Sequence, residues 1–472
     1  MSSKLYLKIT GETECENGFQ YVDGLNIFQG EFNNDPKNMN VSKRFYFTKL
    51  RYIHKFLDYG VYLREVILPT DYSDFQIIKN LKENKYVANM IILGKRRDLR
   101  DPITWEYLVS IGLDIDIIND YILIWASKKG YLEVVKYLVK CGADIHANDD
   151  EALMEASENG NLQVVKYLVE CGANIQTKDN YALRFATKNG HLEVVKYLVK
   201  NGADICAKNN YTLRLATQNG HLEIVKFLIE NGVDIHVKND YALRKSSKNG
   251  HLEVVKYLVK NGADIYAKNN CALRSALKNE YFEIIKYLVE NGANIHIDND
   301  IILRQASDNG HFKIVKFLVE NGADIHANNN EALDGACANG YLKIVKYLVE
   351  CGANIHVYDD NPLRLACMNG YFKIVKYLVE NGADICADNN RALRSASVNC
   401  RLELIKYLVE NGADIHANNN EALIQASKRG YLEVVKYLVE NGANIYANNN
   451  EALSLASKNG HKEIVKYLEN LS

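Results

Sequence analysis

Residues 181–210 read YALRFATKNG HLEVVKYLVK NGADICAKNN, and closely similar stretches follow one another through most of the chain. The spacing is thirty residues, with no insertion or deletion from Tyr121 onward. Twelve repeats therefore begin at residues 121, 151, 181, 211, 241, 271, 301, 331, 361, 391, 421 and 451. Positions within each repeat are numbered here from 1 to 30. A fixed period of this length is the signature of a repeat array, in which each repeat packs against its neighbours.

Each repeat has the pattern of two helices, near positions 2–9 and 12–21. Leu at position 3 and Ala at position 6 form an apolar pair on one helical face, and apolar residues at positions 12, 14, 15, 18 and 19 form a second face. Gly at positions 10 and 22 ends each helix, because glycine tolerates the left-handed conformation of a helix cap. The polar residues that close the repeat predict a turn. A single repeat cannot bury these faces alone, so we predict a mainly α fold, a solenoid of stacked helix pairs.

The remaining residues precede the array. Residues 91–120 keep the register, and we predict that they form a degenerate first repeat whose second helix is Thr104–Val109. Residues 1–90 lack the period and are predicted to form a small α+β domain, with a helix at Lys49–Asp58. Its predicted strands are residues 5–9, 44–47, 61–68 and 86–93. Lys462 and Glu469 replace apolar residues in the last repeat, which is expected to be a polar cap.

Composition excludes several classes of protein. A chain of 472 residues is too long for one compact core, and its net charge of -2 gives no field that favours nucleic acid or an anionic membrane. No run of eighteen apolar residues predicts a membrane-spanning helix, and the first residues lack the apolar run of a signal peptide. Several of the ten cysteines recur at equivalent repeat positions, as substitutions in a template rather than as a disulfide framework. We therefore expect an intracellular, monomeric protein.

The stretches Gly190–Val199 and Asn201–Ile205 resemble the ankyrin repeat, and this resemblance covers roughly residues 91–472. Two departures matter: the family repeat has about 33 residues with a β-turn finger, and Pro362 is the only proline at its place in the family's Thr-Pro-Leu-His. The resemblance implies a protein-binding function, and the short turns favour the helical surface over the fingers. Together with Asn17–Tyr21 and Tyr62–Val66, the thirty-residue repeats resemble the large ankyrin family of mimivirus-type giant viruses. That resemblance implies a location in the host cytoplasm.

Histidine invites a metal-binding interpretation. Of the twelve histidines, five lie at position 11 and six at position 26. Equivalent residues of neighbouring repeats are about 10 Å apart by helix packing, whereas zinc needs its ligands about 2.0–2.1 Å from one centre. We therefore predict that these side chains bridge neighbouring turns. The carboxylates also sit at repeating surface positions and form no unique constellation, so we expect no enzyme activity, no metal and no cofactor.

Arginine occupies position 4 in seven repeats, as Arg184, Arg214, Arg244, Arg274, Arg304, Arg364 and Arg394. One interpretation is a basic ladder that binds phosphate or an acidic peptide. The other is a hydrogen-bonding role between repeats, which we favour because Glu, Asp and Asn surround the arginines.

Position 8 varies in a more informative way. It is polar in nine repeats but apolar in three consecutive ones, as Ala338, Met368 and Val398. By analogy with the family, position 8 lies on the concave helical surface, and we expect these side chains to be exposed there. One interpretation is an apolar contact patch with a charged rim, the anatomy of an interface; the alternative is drift within one part of the array. The candidate partner-binding residues are Ala338, Met368, Val398, Arg364, Arg394 and Asp334.

The predicted function is a non-enzymatic scaffold that binds an unidentified protein on this surface. An alternative is a viral adaptor, in which residues 1–90 recruit cellular machinery such as a ubiquitin ligase to a target held by the repeats. No F-box-like helical pattern is present in those residues. A third hypothesis, an enzyme in residues 1–90, lacks any motif.

Overall fold

The computed structural model describes residues 5–16, 18–28, 32, 44–80, 84–115 and 118–471. The predicted features at Asn17 and residues 116–117 therefore lie outside the described residues. So do residues 33–43, which belong to the predicted N-terminal domain of residues 1–90, called the leader below. The chain divides into two compact units, Met1–Val237 and Lys238–Ser472.

The first compact unit opens with an antiparallel sheet. Its described strands are β1 (Tyr6–Thr10), β2 (Cys15–Glu16), β3 (Phe19–Gln20), β4 (Gly24–Ile27), β5 (Phe45–Lys49), β6 (Tyr62–Ile67), β7 (Ile77–Asn80), β8 (Lys85–Ala88) and β9 (Met90–Asp98). Seven of them pair in the order β4-β9-β6-β1-β5-β8-β7, while β2 and β3 form a separate hairpin. Aromatic residues such as Tyr6, Phe45 and Phe47 fill the core on this sheet. A 3₁₀ helix, Leu50–Tyr59, takes the place of the helix predicted at Lys49–Asp58.

The predicted α+β character of the leader is confirmed, but its boundary needs correction. The predicted strand at residues 86–93 is two strands, β8 and β9, and β9 continues to Asp98. The boundary between residues 90 and 91 therefore falls inside a strand, and residues 91–98 do not form the first helix of a degenerate repeat. Ile91 and Leu93 explain this, because both are buried in the core of the sheet while β9 pairs with β4 on one side and β6 on the other. The predicted second helix is present as α1 (Pro102–Ser110), capped by the Asp101 carboxylate, which accepts from the Ile103 N–H.

The repeats form helix pairs, as predicted. The pairs of the first compact unit are α2 (Asn119–Lys129), α3 (Leu132–Lys140), α4 (Ala147–Glu158), α5 (Leu162–Glu170), α6 (Thr177–Asn189), α7 (Leu192–Lys200), α8 (Ala207–Asn219) and α9 (Leu222–Glu230). Those of the second are α10 (Val237–Asn249), α11 (Leu252–Lys260), α12 (Ala267–Lys278), α13 (Phe282–Glu290), α14 (Ile301–Asp308), α15 (Phe312–Glu320), α16 (Ala327–Asn339), α17 (Leu342–Glu350), α18 (Asn361–Asn369), α19 (Phe372–Glu380), α20 (Ala387–Val398), α21 (Leu402–Glu410), α22 (Ala417–Arg429), α23 (Leu432–Glu440), α24 (Ala447–Lys458) and α25 (Lys462–Glu469).

Burial follows the predicted apolar faces with one refinement. In the third repeat Leu183 and Ala186 of α6, and Val195 and Leu198 of α7, are fully buried. Position 12, Leu192, is only half-buried, so the second helix contacts its neighbours through a narrower stripe than predicted. The two helices are separated by Gly190, whose φ of 86° shows that the chain needs the left-handed conformation at position 10.

The closing turn has a conformation that periodicity does not predict. Positions 28, 29 and 30 adopt left-handed backbone angles in succession, as at Asn328, Asn329 and Asn330, with φ of 51°, 56° and 61°. The bounds given above for most first helices, such as α16, include these three residues, so the right-handed helix begins only at position 1 of the next repeat. Such a left-handed run is unfavourable for most residues, and after glycine Asn and Asp tolerate it best. Position 30 is always Asn or Asp in the described turns, which matches this requirement.

Candidate functional site

The side chain at position 30 joins each repeat to the next. In most repeats its Oδ1 accepts a hydrogen bond from the backbone N–H of the residue 24 positions later, in the turn of the following repeat. This contact joins Asn180 to Asp204 at 3.0 Å, and Asn390 to Asp414 at 2.7 Å. At Asn210 the side chain donates instead, from Nδ2 to the carbonyl of Asp234 at 3.1 Å. The acceptor side chains are buried, as in Asn390 with 5% exposure. The turns are therefore held by a ladder of side-chain-to-backbone bonds, which leaves them little freedom to serve as mobile binding fingers.

The arginines at position 4 stabilise the same turns. In Arg394 the guanidinium Nε donates to the carbonyl of Asn389 at 3.1 Å, and Nη2 donates to the carbonyl of Asp388 at 2.8 Å. Arg244 makes the equivalent pair of bonds at 2.9 and 2.8 Å. Positions 28 and 29 belong to the preceding repeat. Their backbone carbonyls, which accept no hydrogen bond within a helix, accept hydrogen bonds from the guanidinium instead. This geometry favours the hydrogen-bonding interpretation of the arginines over a phosphate-binding ladder.

Asp334 and Arg364 depart from that scheme and meet through Asn361. Nδ2 of Asn361 donates to Oδ2 of Asp334 at 2.6 Å, while Nε of Arg364 donates to Oδ1 of Asn361 at 2.8 Å. Burial raises the pKa of the Asp334 carboxyl to about 6, although its hydrogen bond with Asn361 and the charge of Arg364 partly oppose the shift. Burial, followed by the nearby charge of Arg391, lowers the pKa of Arg364. Two predicted site residues thus belong to one polar cluster, and Asn361 is a member that sequence analysis missed.

The apolar residues at position 8 occupy equivalent places near the ends of three adjacent first helices. Ala338 lies in α16, Met368 in α18 and Val398 in α20, and each of these helices packs against the next. All three side chains are partly buried, so the prediction that they are exposed is wrong. A short side chain stays close to the helix surface, whereas the lysine found at the same position elsewhere extends beyond it; Lys188 and Lys248 are exposed.

Charged residues lie at both ends of this row, which we call the position-8 row (Ala338, Met368 and Val398). Asp308 precedes it and Lys428 follows it at the same position of the flanking repeats, and both are exposed. Oδ1 of Asp308 occupies the space that a Cβ at Gly335 would need, so α16 and the Asp308 side chain are in close contact. Although the residue as a whole is exposed, its carboxyl is partly desolvated against α16, and this desolvation, followed by the charge of Glu331, raises the pKa of Asp308. The row is thus an apolar strip with an acidic end and a basic end.

The histidines have two structural roles. At position 11 the ring Nε2 of His191, His221 and His461 contacts the carbonyl oxygen of position 8 in the preceding repeat, at 2.9 Å between His191 and Glu158, so the predicted bridge is confirmed for these three. At position 26 the ring stays in its own turn and contacts position 30, as between Nδ1 of His146 and Oδ1 of Asp150 at 2.9 Å. For these histidines the predicted bridge between turns is wrong, because the position-30 side chain makes that connection instead.

Within the described ranges, no group of three His, Cys, Asp or Glu side chains is arranged to hold a metal ion. Over the same part of the chain, no helix is both long enough and apolar enough to span a membrane. All ten cysteines are free thiols; Cys337 and Cys367 are buried, and burial raises the pKa of the Cys367 thiol.

Comparison with known proteins identifies the repeat. A family model described as ankyrin repeats in three copies matches overlapping segments from residue 101 to residue 470. A putative ankyrin repeat protein of Acanthamoeba polyphaga mimivirus is 55% identical over 136 residues, which are 29% of this chain and 67% of that protein. An uncharacterized protein of the same virus is 52% identical over 135 residues, which are 29% of this chain and 97% of that protein. A third relative from this virus, another putative ankyrin repeat protein, is 42% identical over 142 residues, 28% of this chain and 51% of its own length.

Proposed function

Because the chain belongs to the ankyrin-repeat family, whose repeats form protein-interaction scaffolds, we propose that it is a monomeric, non-enzymatic scaffold that binds another protein in the host cytoplasm. The proposed contact surface is the position-8 row, with Asp334, Arg364 and Arg394 beside it. The similarity of this chain to mimivirus proteins supports the proposed location. The ladder of hydrogen-bonded turns supports contact through the helical surface rather than through mobile fingers.

The observation that carries this proposal is the loss of polarity at one position in three adjacent repeats. Lys or another polar residue occupies position 8 in the other nine repeats, so folding does not require an apolar side chain there. Partly buried apolar groups are inexpensive to leave in water, yet they form a continuous strip onto which a partner can pack. The strip has Asp308 at one end and Lys428 at the other, which matches the apolar centre and charged rim of protein interfaces. Met368 at its centre can adapt its shape to a partner.

The test is Met368→Lys, which introduces the residue most common at position 8. We expect the melting temperature to stay within about 2 °C of the parent, because a surface substitution of this kind changes stability by about 0.5 kcal/mol or less. Capture of the partner from host cells by the tagged full-length protein should fall to background. Lys248→Met, which makes the reverse exchange in a repeat outside the row, serves as the control. It should capture the same proteins as the parent protein. If Met368→Lys captures the same proteins at the same yield, the row is not the interface.

Exposed apolar side chains on the N-terminal sheet favour the adaptor as a second candidate. Ile27 of β4 and Ile67 of β6 are 45% and 54% exposed, on strands that both pair with β9. In this function the sheet would dock cellular machinery, such as a ubiquitin ligase, while the repeats hold the target. The double variant Ile27→Lys/Ile67→Lys should then no longer capture the cellular machinery. It should still capture the target, which is the protein that Met368→Lys loses. Loss of neither set, with an unchanged melting temperature, would contradict the adaptor.

A further inference from the structure

Position 13 carries a second departure from the repeat, on the second helices. Eight repeats have Glu at this position and one has Gln, but the seventh, eighth and ninth repeats have Lys313, Lys343 and Lys373. Position 16 is Lys in every repeat. Three adjacent helices, α15, α17 and α19, therefore carry two lysines each. The lysine patch consists of Lys313, Lys316, Lys343, Lys346, Lys373 and Lys376, all of them exposed.

The change at position 13 removes a favourable ion pair from each of these helices. In α11 the Lys256 ammonium lies 2.7 Å from the Glu253 carboxylate, and the same i,i+3 pair recurs in α21 and α23. A lysine at position 13 replaces this attraction with repulsion one helical turn away. It also places a positive charge in the first turn of the helix, where the helix dipole favours a negative one. Lys316 and Lys376 lie 3.7 and 3.8 Å from the carboxylates of Glu320 and Glu380 instead, so the unfavourable part of the change falls on the lysines at position 13.

Aromatic rings contact two of the position-13 lysines of the patch. The Lys313 Nζ lies 3.8 Å from the centroid of Phe282, and the Lys343 Nζ lies 4.2 Å from that of Phe312. Such contacts orient an ammonium group without neutralising its charge. Lys313 also lies 3.6 Å from the Glu283 carboxylate, which marks one edge of the patch. Among the described residues, no carboxylate forms an ion pair with Lys343 or Lys373, so their charges remain open to a partner.

Carboxylates surround the patch and limit the size of its ligand. Glu283 and Glu403 hold position 13 in the flanking repeats, and Glu320, Glu350 and Glu380 lie one turn beyond position 16. With helices about 8–10 Å apart, the three helices span about 20 Å, the length of about six extended residues. A nucleic-acid duplex or a membrane would extend past these limits and meet the surrounding carboxylates.

We propose that the lysine patch binds a short acidic segment of a partner protein, through residues other than those of the position-8 row. Opposite charges across such a surface raise the association rate and select the partner, and they make binding weaken with salt.

The test uses full-length protein and a fluorescent hexaglutamate peptide, with hexaglutamine as the neutral probe. The triple variant Lys313→Glu/Lys343→Glu/Lys373→Glu introduces the residue that position 13 has elsewhere. We expect it to bind hexaglutamate about tenfold or more weakly at low salt, while its melting temperature rises because the i,i+3 pairs and the dipole interactions return. A structural role for the lysines would lower the melting temperature instead.

The matched control is Lys140→Glu/Lys200→Glu/Lys260→Glu. It makes the same change in net charge at position 20, where eight other repeats have Glu, and lies outside the patch. The control should bind hexaglutamate as the parent does. An equal loss in both triple variants, or parental binding no stronger to hexaglutamate than to hexaglutamine, would overturn the proposal. The proposal would also fail if the parent bound a duplex oligonucleotide or phosphatidylserine vesicles more tightly than hexaglutamate, and if the position-13 variant abolished that binding.

Discussion

The hydrogen bond from the Asp414 N–H to Asn390 provides a quantitative test of how the repeats are joined. Asn390→Ala removes the 2.7 Å bond and leaves a part-buried amide without its acceptor, at a cost of about 1–3 kcal/mol. Alanine also tolerates the left-handed conformation of residue 390 less well than asparagine, which adds about 1 kcal/mol. We therefore expect the free energy of unfolding to fall by about 2–4 kcal/mol, the two contributions together.

Neighbouring substitutions separate these contributions. Asn389 is also left-handed but exposed, so Asn389→Ala should cost only the conformational part, about 1 kcal/mol. Asn390→Asp should be nearly neutral, because Asp occupies the equivalent position in other repeats, as at Asp360. Urea denaturation gives the free energies, and hydrogen exchange of the Asp414 amide reports the bond directly. Equal costs for Asn390→Ala and Asn389→Ala, with unchanged exchange at Asp414, would refute the role of the side-chain bond.

Three further outcomes follow from the described contacts. Glu280 and Cys400 are left-handed, with φ of 59° and 56°, so Glu280→Gly and Cys400→Gly should each stabilise the protein by about 1 kcal/mol in chemical denaturation; no gain for either would mean that local contacts compensate for the backbone. Because the cysteines are free thiols, reduced and oxidised samples should melt alike, and a melting temperature lowered by reductant would contradict this. The raised pKa of Asp334, about 6, means that the native state holds the proton more tightly, so its contribution is complete below about pH 4 and is lost as the pH rises through 6. Asp334→Asn should then stabilise the protein at pH 7 but not at pH 4, and a gain of equal size at both values would rule out titration of Asp334 as its source.

The helix pairs could be predicted from sequence because their cause is local and periodic. Leu183 and Ala186 face the same way by helical geometry alone, and Gly190 marks the turn between the two helices. The left-handed conformation of positions 28–30 was not predicted, because the contacts that stabilise it are distant in sequence. Asn180, for example, is held by the amide of Asp204. The recurrence of Asn or Asp at position 30 was the available signal.

The leader and the candidate surface were harder to predict for a different reason. β9 lies between β4 and β6 in the sheet, and no local pattern around Gly94 distinguishes a strand with two partners from the start of a repeat. At Asp334, sequence analysis found the departure from arginine but not its partner, since Asn361 belongs to the next repeat. The lysines of position 13 were visible in the sequence, but their importance depends on the adjacency of α15, α17 and α19.

The hydrogen bond between Asn390 and the Asp414 amide, called a joint below, has a consequence for how such a chain can change length. The joints made by Asn390 and Asn420 use the same atoms at the same spacing, so a deletion of residues 391–420 would bring Asn390 next to Glu421 and offer its Oδ1 to the amide of Asn444, which Asn420 binds in the intact chain. The shortened protein would keep a complete set of joints and lose only one module. A deletion whose length is not a multiple of thirty residues would leave an amide facing the wrong side chain. Recombination between the nearly identical coding segments can therefore add or remove whole modules without interrupting the ladder, and gene length in such a lineage is expected to vary in steps of thirty codons.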